Sequence, residues 1–327
     1  MKQLLKSFWK IISTKTAKVL IVLIVVGIGG VYAYRAGWDY YKQPTGTKSS
    51  VIELKVQNIN ELSSLMLKKD LIKSEWVFKK LWGNASMPGE GLYELSGQEP
   101  ARLIETLQAG PNTVKVTFPE GFSAMQFAQR LTKNGIDGAK FYEMAAPLEG
   151  KLFPDTYYLP LHGAMNLIIK QFTDNYEAKT QTLKLTDEQL IIASIVEREA
   201  IADDERLKIA TVYYNRLKIG MKMQADPTVQ YARDIANFST ATMDTFAAWE
   251  PLQATDLKFN SPYNTYVKSG NIPAPICNPG LPSIVAATQP IVGFEALFFF
   301  HDKDQKVHFS NTAAEHQAAI NEYGLSQ

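Results

Sequence analysis

The stretch Val19-Leu-Ile-Val-Leu-Ile-Val-Val-Gly-Ile-Gly-Gly-Val-Tyr-Ala-Tyr34 carries no charge and is almost wholly apolar. A helix that crosses a bilayer needs about 20 mostly apolar residues. Extended back to Ala17 through Lys18, whose stem can snorkel to the interface, the stretch approaches that length. Lys2, Lys6, Lys10, Lys15 and Lys18 precede or open it with no acid among them, and Tyr32, Tyr34, Trp38, Tyr40 and Tyr41 close or follow it. Lysines before and aromatics after are the flanks of a span with a cytoplasmic N terminus and an interfacial belt on the far side. A cleaved signal peptide would carry a small-x-small site after the apolar core, and none sits cleanly there. The expectation is a single-pass protein of the cytoplasmic (inner) membrane. Residues 1–18 form a cytoplasmic tail, 19–36 the transmembrane helix and 37–47 a linker. Everything beyond about residue 40 is exported to the periplasm or cell-wall side.

The chain of 327 residues is long enough for two folded domains, and 46% hydrophobic with 20% charged residues is a globular balance. Its net charge of +1 hides the five N-terminal lysines, so the remainder is net acidic. No clustered basic face marks a nucleic-acid partner, and none is expected. Cys277 is the only cysteine, so an exported domain must be held by its core and not by disulfides. Set among prolines, it has no base in view that would make it a nucleophile. His162, His301, His308 and His316 lack the His-Glu-x-x-His spacing of a zinc site, and neither metal nor cofactor is expected. Gly27, Gly29 and Gly30 lie within the apolar stretch, so no phosphate loop is present, and no Gly-x-Ser-x-Gly elbow occurs.

Past the polar spacer Gln43–Ser50, residues 50–56 alternate as a strand, and 60–69 have helical spacing through Leu62, Leu65 and Met66. A similar order recurs at 113–131: a strand to Phe118, a turn at Pro119-Glu-Gly121, a cap at Ser123 and a helix through Leu131. This weak repeat bounds one small α+β domain at 48–136. A second domain, 137–327, holds a helix beginning near Thr186 and another from about Asp204 that ends before Gly220. From Met221 the chain reads as loop-rich, with Asp226-Pro227, Ser261-Pro-Tyr-Asn264, Pro273-Ala-Pro275 and Asn278-Pro-Gly280. A strand pattern at 296–300 follows. Loops of this kind are where binding and catalytic groups gather, and they are also simply what loops look like.

Within the second domain, Leu185-Thr-Asp-Glu-Gln-Leu190 has the form of a capped helix start, with Thr186 and Gln189 as the reciprocal pair. At about 100° per residue, Ile192, Ile195 and Val196 fall within roughly 60° of Glu199, while Glu197 lies about 160° away. Glu199 therefore continues the apolar stripe and Glu197 points elsewhere. A carboxylate on a desolvated face has a raised pKa, as a general acid/base near neutral pH requires. The plainer reading is a Glu at the end of a stripe paired with a neighbouring Arg or Lys.

With metal, phosphate and serine chemistries set aside, carbohydrate chemistry remains. A glycosidase uses a protonated carboxyl at the leaving oxygen and generally a second carboxylate. Glu149, Asp155, Glu205 and Asp226 are the candidates for that second role. One carboxyl suffices if a hydroxyl of the sugar itself attacks. Gln224, Tyr263, Asn264, Tyr266 and Asn278 are residue types that suit sugar faces and N-acetyl groups, although turn or packing roles stand beside that for each.

The motifs Thr117-Phe-Pro-Glu-Gly121, Leu148-Glu-Gly-Lys-Leu-Phe-Pro-Asp-Thr-Tyr157, Ala193-Ser-Ile-Val-Glu-Arg-Glu-Ala200, Asn215-Arg-Leu-Lys-Ile-Gly-Met221, Gln224-Ala-Asp-Pro-Thr-Val229, Ser261-Pro-Tyr-Asn-Thr-Tyr266 and Pro275-Ile-Cys-Asn-Pro-Gly280 occur in this order. With the anchor, they make the chain resemble the YceG-like endolytic murein transglycosylases of the MltG type, from the anchor to near the C terminus. The resemblance implies an α+β protein with a single transmembrane helix, a small LysM-like domain at 48–136 and a mixed α+β catalytic domain at 137–327. It implies cleavage of the MurNAc–GlcNAc β-1,4 bond in nascent glycan strands, with 1,6-anhydro-MurNAc ends. The family's catalytic Glu falls on Glu199, the residue the helical phase also selects. Gln224, Asp226, Thr228, Tyr263, Asn264, Thr265 and Asn278 are expected to shape the sugar subsites, with Glu149, Asp155, Glu205 and Arg216 in support. Where the family pattern often has an aromatic, this chain has Lys151, so no stacking role is carried to that position. Expected partners are peptidoglycan strands, the cell membrane and the peptidoglycan synthases of the elongation or division machinery. Two other readings stay open: a muramidase, which would leave reducing MurNAc ends, and a non-catalytic, membrane-anchored wall-binding scaffold, which would keep its phenotype after Glu199→Gln.

Overall fold

The computed structural model describes residues 15–324. Residues 1–14 of the expected cytoplasmic tail, and 325–327, lie outside the described residues. The fold is mixed α+β with an N-terminal apolar helix, and it divides into two compact units, Met1–Thr113 and Val114–Gln327.

In the first unit, α1 (Lys15–Lys42) contains the apolar stretch and buries none of its residues in the protein. Among the described residues it is the one helix long and apolar enough to cross a membrane. Its 28 residues extend for about 42 Å at 1.5 Å each. Strand β1 (Ser49–Leu54) pairs antiparallel with β2 (Gly91–Ser96), Ser49 opposite Ser96 and Leu54 opposite Gly91. Between them lie α2 (Ile59–Lys68) and α3 (Glu75–Trp82), and α4 (Pro100–Ala109) follows. Asn58 Oδ1 caps α2 by accepting from the Asn60 and Glu61 N–H groups at 3.0 Å, and Ser74 Oγ caps α3 through Val77 N–H at 3.3 Å. Ile52, Leu54, Leu62, Met66, Phe78, Trp82, Tyr93 and Leu95 close the core of this unit. The sequence reading found β1 and α2 but not α3, β2 or α4. Helix α3 is only two turns long, too short for helical spacing to stand out.

The second unit takes in most of β3 (Thr113–Thr117), then α5 (Ala124–Lys133), α6 (Gly138–Ala145), β4 (Thr156–Pro160) and α7 (Met165–Thr180). Phe118 N–H donates to the Asp155 carbonyl at 2.9 Å, and the Thr117 and Thr156 hydroxyls meet at 2.8 Å, which aligns the ends of β3 and β4. Phe118 and Phe127 stack with centroids 4.4 Å apart. Phe172 stands edge-on to Phe118, Phe127 and Phe141 at 5.1, 5.3 and 5.8 Å. Val116, Phe118, Phe127 and Leu131 thus share one core with Phe141, Leu152 and Phe172. That shared burial is why the compact division falls after Thr113 and not at the 136/137 boundary expected from the repeat.

The remaining elements are α8 (Asp187–Glu199), α9 (Arg206–Lys218), α10 (Asp226–Asn237), α11 (Leu281–Thr288), the antiparallel pair β5 (Phe298–His301) and β6 (Val307–Ser310), and α12 (Ala313–Glu322). Helix α8 begins where its sequence says: Gln189 N–H donates to Thr186 Oγ1 at 3.2 Å, and Thr186 N–H to Gln189 Oε1 at 2.9 Å. Helix α9 ends just before Gly220, which takes φ +68°. Asp226-Pro227, read as loop, instead opens α10. Proline suits a first helical turn, where its missing N–H has no partner to lose, and Pro282 does the same in α11.

Because the rings of Phe118, Phe127, Phe141 and Tyr157 all converge on Phe172, its replacement by Ala leaves a large cavity. Phe172→Ala is expected to destabilise the second unit by about 3–5 kcal/mol, read as a lower urea midpoint of the full chain.

Candidate active site

Helix α8 sets the site. Leu190 to Val196 are buried without a break, so this helix is enclosed on every side and not along one stripe. Its last turn, Glu197-Arg198-Glu199, emerges half-buried from that stem, and Ala200 turns extended at φ −72°, ψ 131°. Each of the three side chains goes to a different partner.

Glu197 Oε2 accepts from Gly280 N–H at 2.9 Å, and its Oε1 lies 3.4 Å from Arg206 Nη1, which also donates to Ser283 Oγ at 2.7 Å. Glu197 is thereby the tie that holds the Asn278-Pro-Gly280 turn and the start of α11. The sequence reading sent it away from the stripe; its direction does differ, but it ends in a nearly buried ion pair and not in solvent. The Arg198 guanidinium lies 4.2 Å over the Trp249 ring. Gly121 is packed against Arg198 at φ +76°, and a Cβ there would come within 3.2 Å of the guanidinium.

Glu199 Oε1 accepts from the Tyr213 hydroxyl at 3.1 Å. Tyr213 and Arg216 are three apart on α9 and so share a face. Arg216 is buried and immobilised: Nε donates to the Leu297 carbonyl at 2.6 Å, Nη1 to the Met223 carbonyl, and the guanidinium covers Phe298 at 5.3 Å. Asp226 at the start of α10 is exposed, and its Oδ1 accepts from Tyr266 OH at 2.6 Å.

Burial of the Glu199 carboxyl raises its pKa to about 7, and the negative charge of Asp226 adds to the rise. The Tyr213 hydroxyl and the charges of Arg216 and Arg198 oppose it without cancelling it. The result is a carboxyl on a half-buried residue, shared between its two protonation states near neutral pH.

The other expected site residues separate into two groups. Gln224 is exposed, with a left-handed backbone at φ +51°. Thr228, Asn264 and Thr265 are buried and spend their polar atoms on the chain. Ala225 N–H donates to Thr265 Oγ1 at 2.9 Å, the Thr228 and Thr265 hydroxyls meet at 2.8 Å, and Asn264 Nδ2 donates to the Leu257 and Phe259 carbonyls at 3.1 and 2.8 Å. Asn264 Oδ1 accepts from Tyr266 N–H at 2.9 Å, which sets Tyr266 against Asp226. Expected at the sugar subsites, these three side chains lock two loops behind Asp226.

Asn278, also expected at a subsite, is buried: its Oδ1 accepts from Gly150 and Leu152 N–H at 2.8 and 2.9 Å, and its Nδ2 donates to Glu149 at 2.8 Å. Glu149 accepts further from Ala124 N–H at 2.9 Å and Tyr231 OH at 3.2 Å, and burial lifts its pKa to about 8. Tyr263 is half-buried and meets Tyr231 edge-on at 5.1 Å, beside this network. Asp155 is exposed; it accepts from Thr156 N–H at 2.7 Å and Asn175 Nδ2 at 3.0 Å. Glu205 is buried and accepts from Ala202 N–H at 2.9 Å, Ile201 N–H and His301 Nε2 at 3.2 Å. These three acids are spent on structure. The carboxylate whose charge bears on Glu199 is Asp226.

The sequence reading assigned Tyr213 no role at the site; it is a core residue whose hydroxyl reaches Glu199. Its signal was present: a Tyr and an Arg three apart on the helix that follows the Glu helix.

The match to a known family decides the relationship. Residues 54–322 match the YceG-like family. The chain belongs to the YceG-like family. It is 28% identical over 341 residues to a Bacillus subtilis (strain 168) protein named endolytic murein transglycosylase, covering 90% of this chain and 91% of that protein. A Streptococcus pneumoniae serotype 2 (strain D39 / NCTC 7466) protein of the same name is 23% identical over 362 residues, covering 93% of this chain and 64% of that longer protein. The crystal structure of a YceG-like protein from Listeria monocytogenes superimposes with a TM-score of 0.51 at 26% identity, covering 84% of this chain and 100% of that one.

A hydroxyl that donates to a carboxylate favours the ionised form. Tyr213→Phe is therefore expected to raise the Glu199 pKa above about 7, by about one unit, measured by carboxyl carbon NMR of glutamate-labelled protein.

Proposed function

We propose that this protein is a membrane-anchored lyase, an endolytic peptidoglycan transglycosylase that cuts the MurNAc–GlcNAc β-1,4 bond within nascent glycan strands. The names of the B. subtilis and S. pneumoniae relatives support the activity and the substrate. The observation that carries the chemistry is Glu199, a half-buried residue whose carboxyl is lifted to about 7. Such a group can give a proton and take one back at the same pH.

Protonated Glu199 gives its proton to the glycosidic oxygen as the bond from MurNAc C1 breaks, and the GlcNAc leaves with a free 4-hydroxyl. The MurNAc 6-hydroxyl attacks C1, and its proton passes to the ionised Glu199 carboxylate. The products are a 1,6-anhydro-MurNAc end and a regenerated acid, so no water is consumed. Tyr213 orients the carboxyl, and Arg216 and Arg198 offset its charge in the middle of the cycle. Gln224, Asp226, Tyr263 and Tyr266 are exposed or half-exposed, which supports a role for them in meeting sugar. Thr228, Asn264, Thr265 and Asn278 act through the loops they hold. Cleavage inside growing strands would end or trim glycan elongation beside the synthases of the elongation or division machinery.

The first unit supports a LysM-like reading through its β1-α2-α3-β2 order and the antiparallel β1–β2 pair. The anchor at 19–36, the tail at 1–18 on the cytoplasmic side and the linker at 37–47 complete the organisation, with the catalytic part exported to the periplasm or cell-wall side. The catalytic domain then begins at Val114, where the second unit starts.

One observation favours a second reading. Asp226 beside Glu199 supplies the second carboxylate a muramidase would need. Digestion of unmodified peptidoglycan by the full chain, with mass spectrometry of the ends, separates the two. Anhydro-MurNAc ends are expected, and reducing MurNAc ends would replace this account with the muramidase.

Glu199→Gln is expected to lower kcat/KM by about 10²–10⁴-fold. Glu197→Gln keeps an oxygen for Gly280 N–H but loses the charge facing Arg206, and is expected to cost about 1–3 kcal/mol of stability with activity largely retained. Equal loss from both would contradict the assignment. The acid form of Glu199 empties as pH rises through about 7, so kcat/KM should fall about tenfold per pH unit above that point.

A further inference from the structure

The outer end of α1 is packed against the small unit. The Trp76 ring of α3 meets Trp38 edge-on, with centroids 5.6 Å apart. The ammonium of Lys73, just before α3, lies 4.4 Å over the Tyr40 ring, and that of Lys42 lies 5.1 Å over Trp38. The start of α3 is thereby fixed to α1 immediately beyond the apolar stretch.

The level of this contact follows from helix geometry. The uncharged stretch ends at Tyr34, and Trp38 is four residues on, about 6 Å higher at 1.5 Å per residue. The headgroup layer on each side of a bilayer is about 5–8 Å deep. Trp38 falls within it, and so does the ring that touches it. Trp76 nevertheless keeps 57% of its surface exposed, a large apolar face that nothing among the described residues covers. Tryptophan favours this layer, where one edge is wet and the other apolar.

The charges around the ring are mostly basic. Lys80 is exposed and lies one turn beyond Trp76, on the same face of α3. Arg35 and Lys42 on α1, with Lys73, complete the cationic side. Asp39 and Glu75 are the acids in the same stretches, and Glu75 is tied to Lys79 at 3.3 Å. An exposed indole flanked by more cations than acids at headgroup depth fits phosphate and glycerol groups. Neutral sugar would use the ring but not the lysines.

We propose that the small unit lies on the bilayer, with its Lys73–Trp76–Lys80 face seated among the anionic phospholipid headgroups of the leaflet from which α1 emerges. This gives the small unit a lipid-binding role distinct from catalysis. It rests on α1 spanning the bilayer, and the test separates the two claims.

The full chain is placed in nanodiscs of phosphatidylcholine and phosphatidylglycerol with a nitroxide at one introduced cysteine: Val26→Cys, Tyr41→Cys or Lys80→Cys. The native Cys277 is buried, which leaves the introduced thiol as the accessible one. Spin relaxation is read with oxygen, which partitions into the bilayer, and with a lipid whose headgroup chelates nickel. The label at 26 is expected to respond to oxygen, and the label at 80 to respond to the nickel headgroup about as strongly as the label at 41. Replacing phosphatidylglycerol by phosphatidylcholine should reduce the response at 80 by about half or more. A label at 80 that ignores the nickel headgroup, while the label at 26 reports the bilayer interior, overturns the proposal and leaves the anchor intact. A label at 26 that reports water overturns the anchor itself. A label at 80 immobilised by added chitin oligosaccharide and untouched by the nickel headgroup overturns lipid in favour of glycan.

Discussion

The structure of the site depends on the complete burial of one helix stem. Seven consecutive residues, Leu190 to Val196, are enclosed in the core of the second unit. A helix buried on all sides cannot rotate without exposing apolar surface, at roughly 25 cal/mol per Å². Its last turn therefore leaves the core at a fixed angle. Glu197, Arg198 and Glu199 each meet one partner: the Gly280 backbone, the Trp249 ring and the Tyr213 hydroxyl. Two of these contacts hold the surrounding loops, and the third leaves a carboxyl at the surface of the core. The same burial that fixes its direction also raises its pKa.

Around that stem, buried polar groups do the work that disulfides do in other folds. Glu149 and Asn278 join the start of α5, the turn at Gly150 and the segment before α11. Thr228, Asn264 and Thr265 join the start of α10 to the loop that carries Tyr266. Each member is satisfied by backbone or by another member, which makes such a network rigid and costly to break. In the extended loops between α10 and α11, this is what replaces regular secondary structure.

How much of this could be read beforehand depended on whether the signal was local. The Thr186–Gln189 cap and the stop at Gly220 were legible, because caps are short-range chemistry. That Glu199 and Glu197 leave the helix in different directions was legible from the helical phase. The picture of a single stripe was too simple, since burial on the far side of α8 comes from elements distant in sequence. Pro227 was read as a loop signal because a proline that opens a helix looks the same in sequence as one that breaks it. The buried fate of Asn264, Thr265 and Asn278 was not legible for the same reason that Tyr213 was missed. Whether a polar side chain faces a ligand or the chain's own backbone is decided by tertiary packing, and these partners lie 37 or more positions away for Thr265 and 126 or more for the Asn278 oxygen.

The central claim is that one carboxyl suffices because the substrate supplies its own nucleophile. Digestion of peptidoglycan in water enriched with ¹⁸O tests it most directly. The account predicts that the new MurNAc ends carry no ¹⁸O at C1, since the 6-hydroxyl oxygen closes the ring. Incorporation of ¹⁸O at C1 of ends formed by the wild-type protein, and absent with Glu199→Gln, would mean that water attacks and would contradict it.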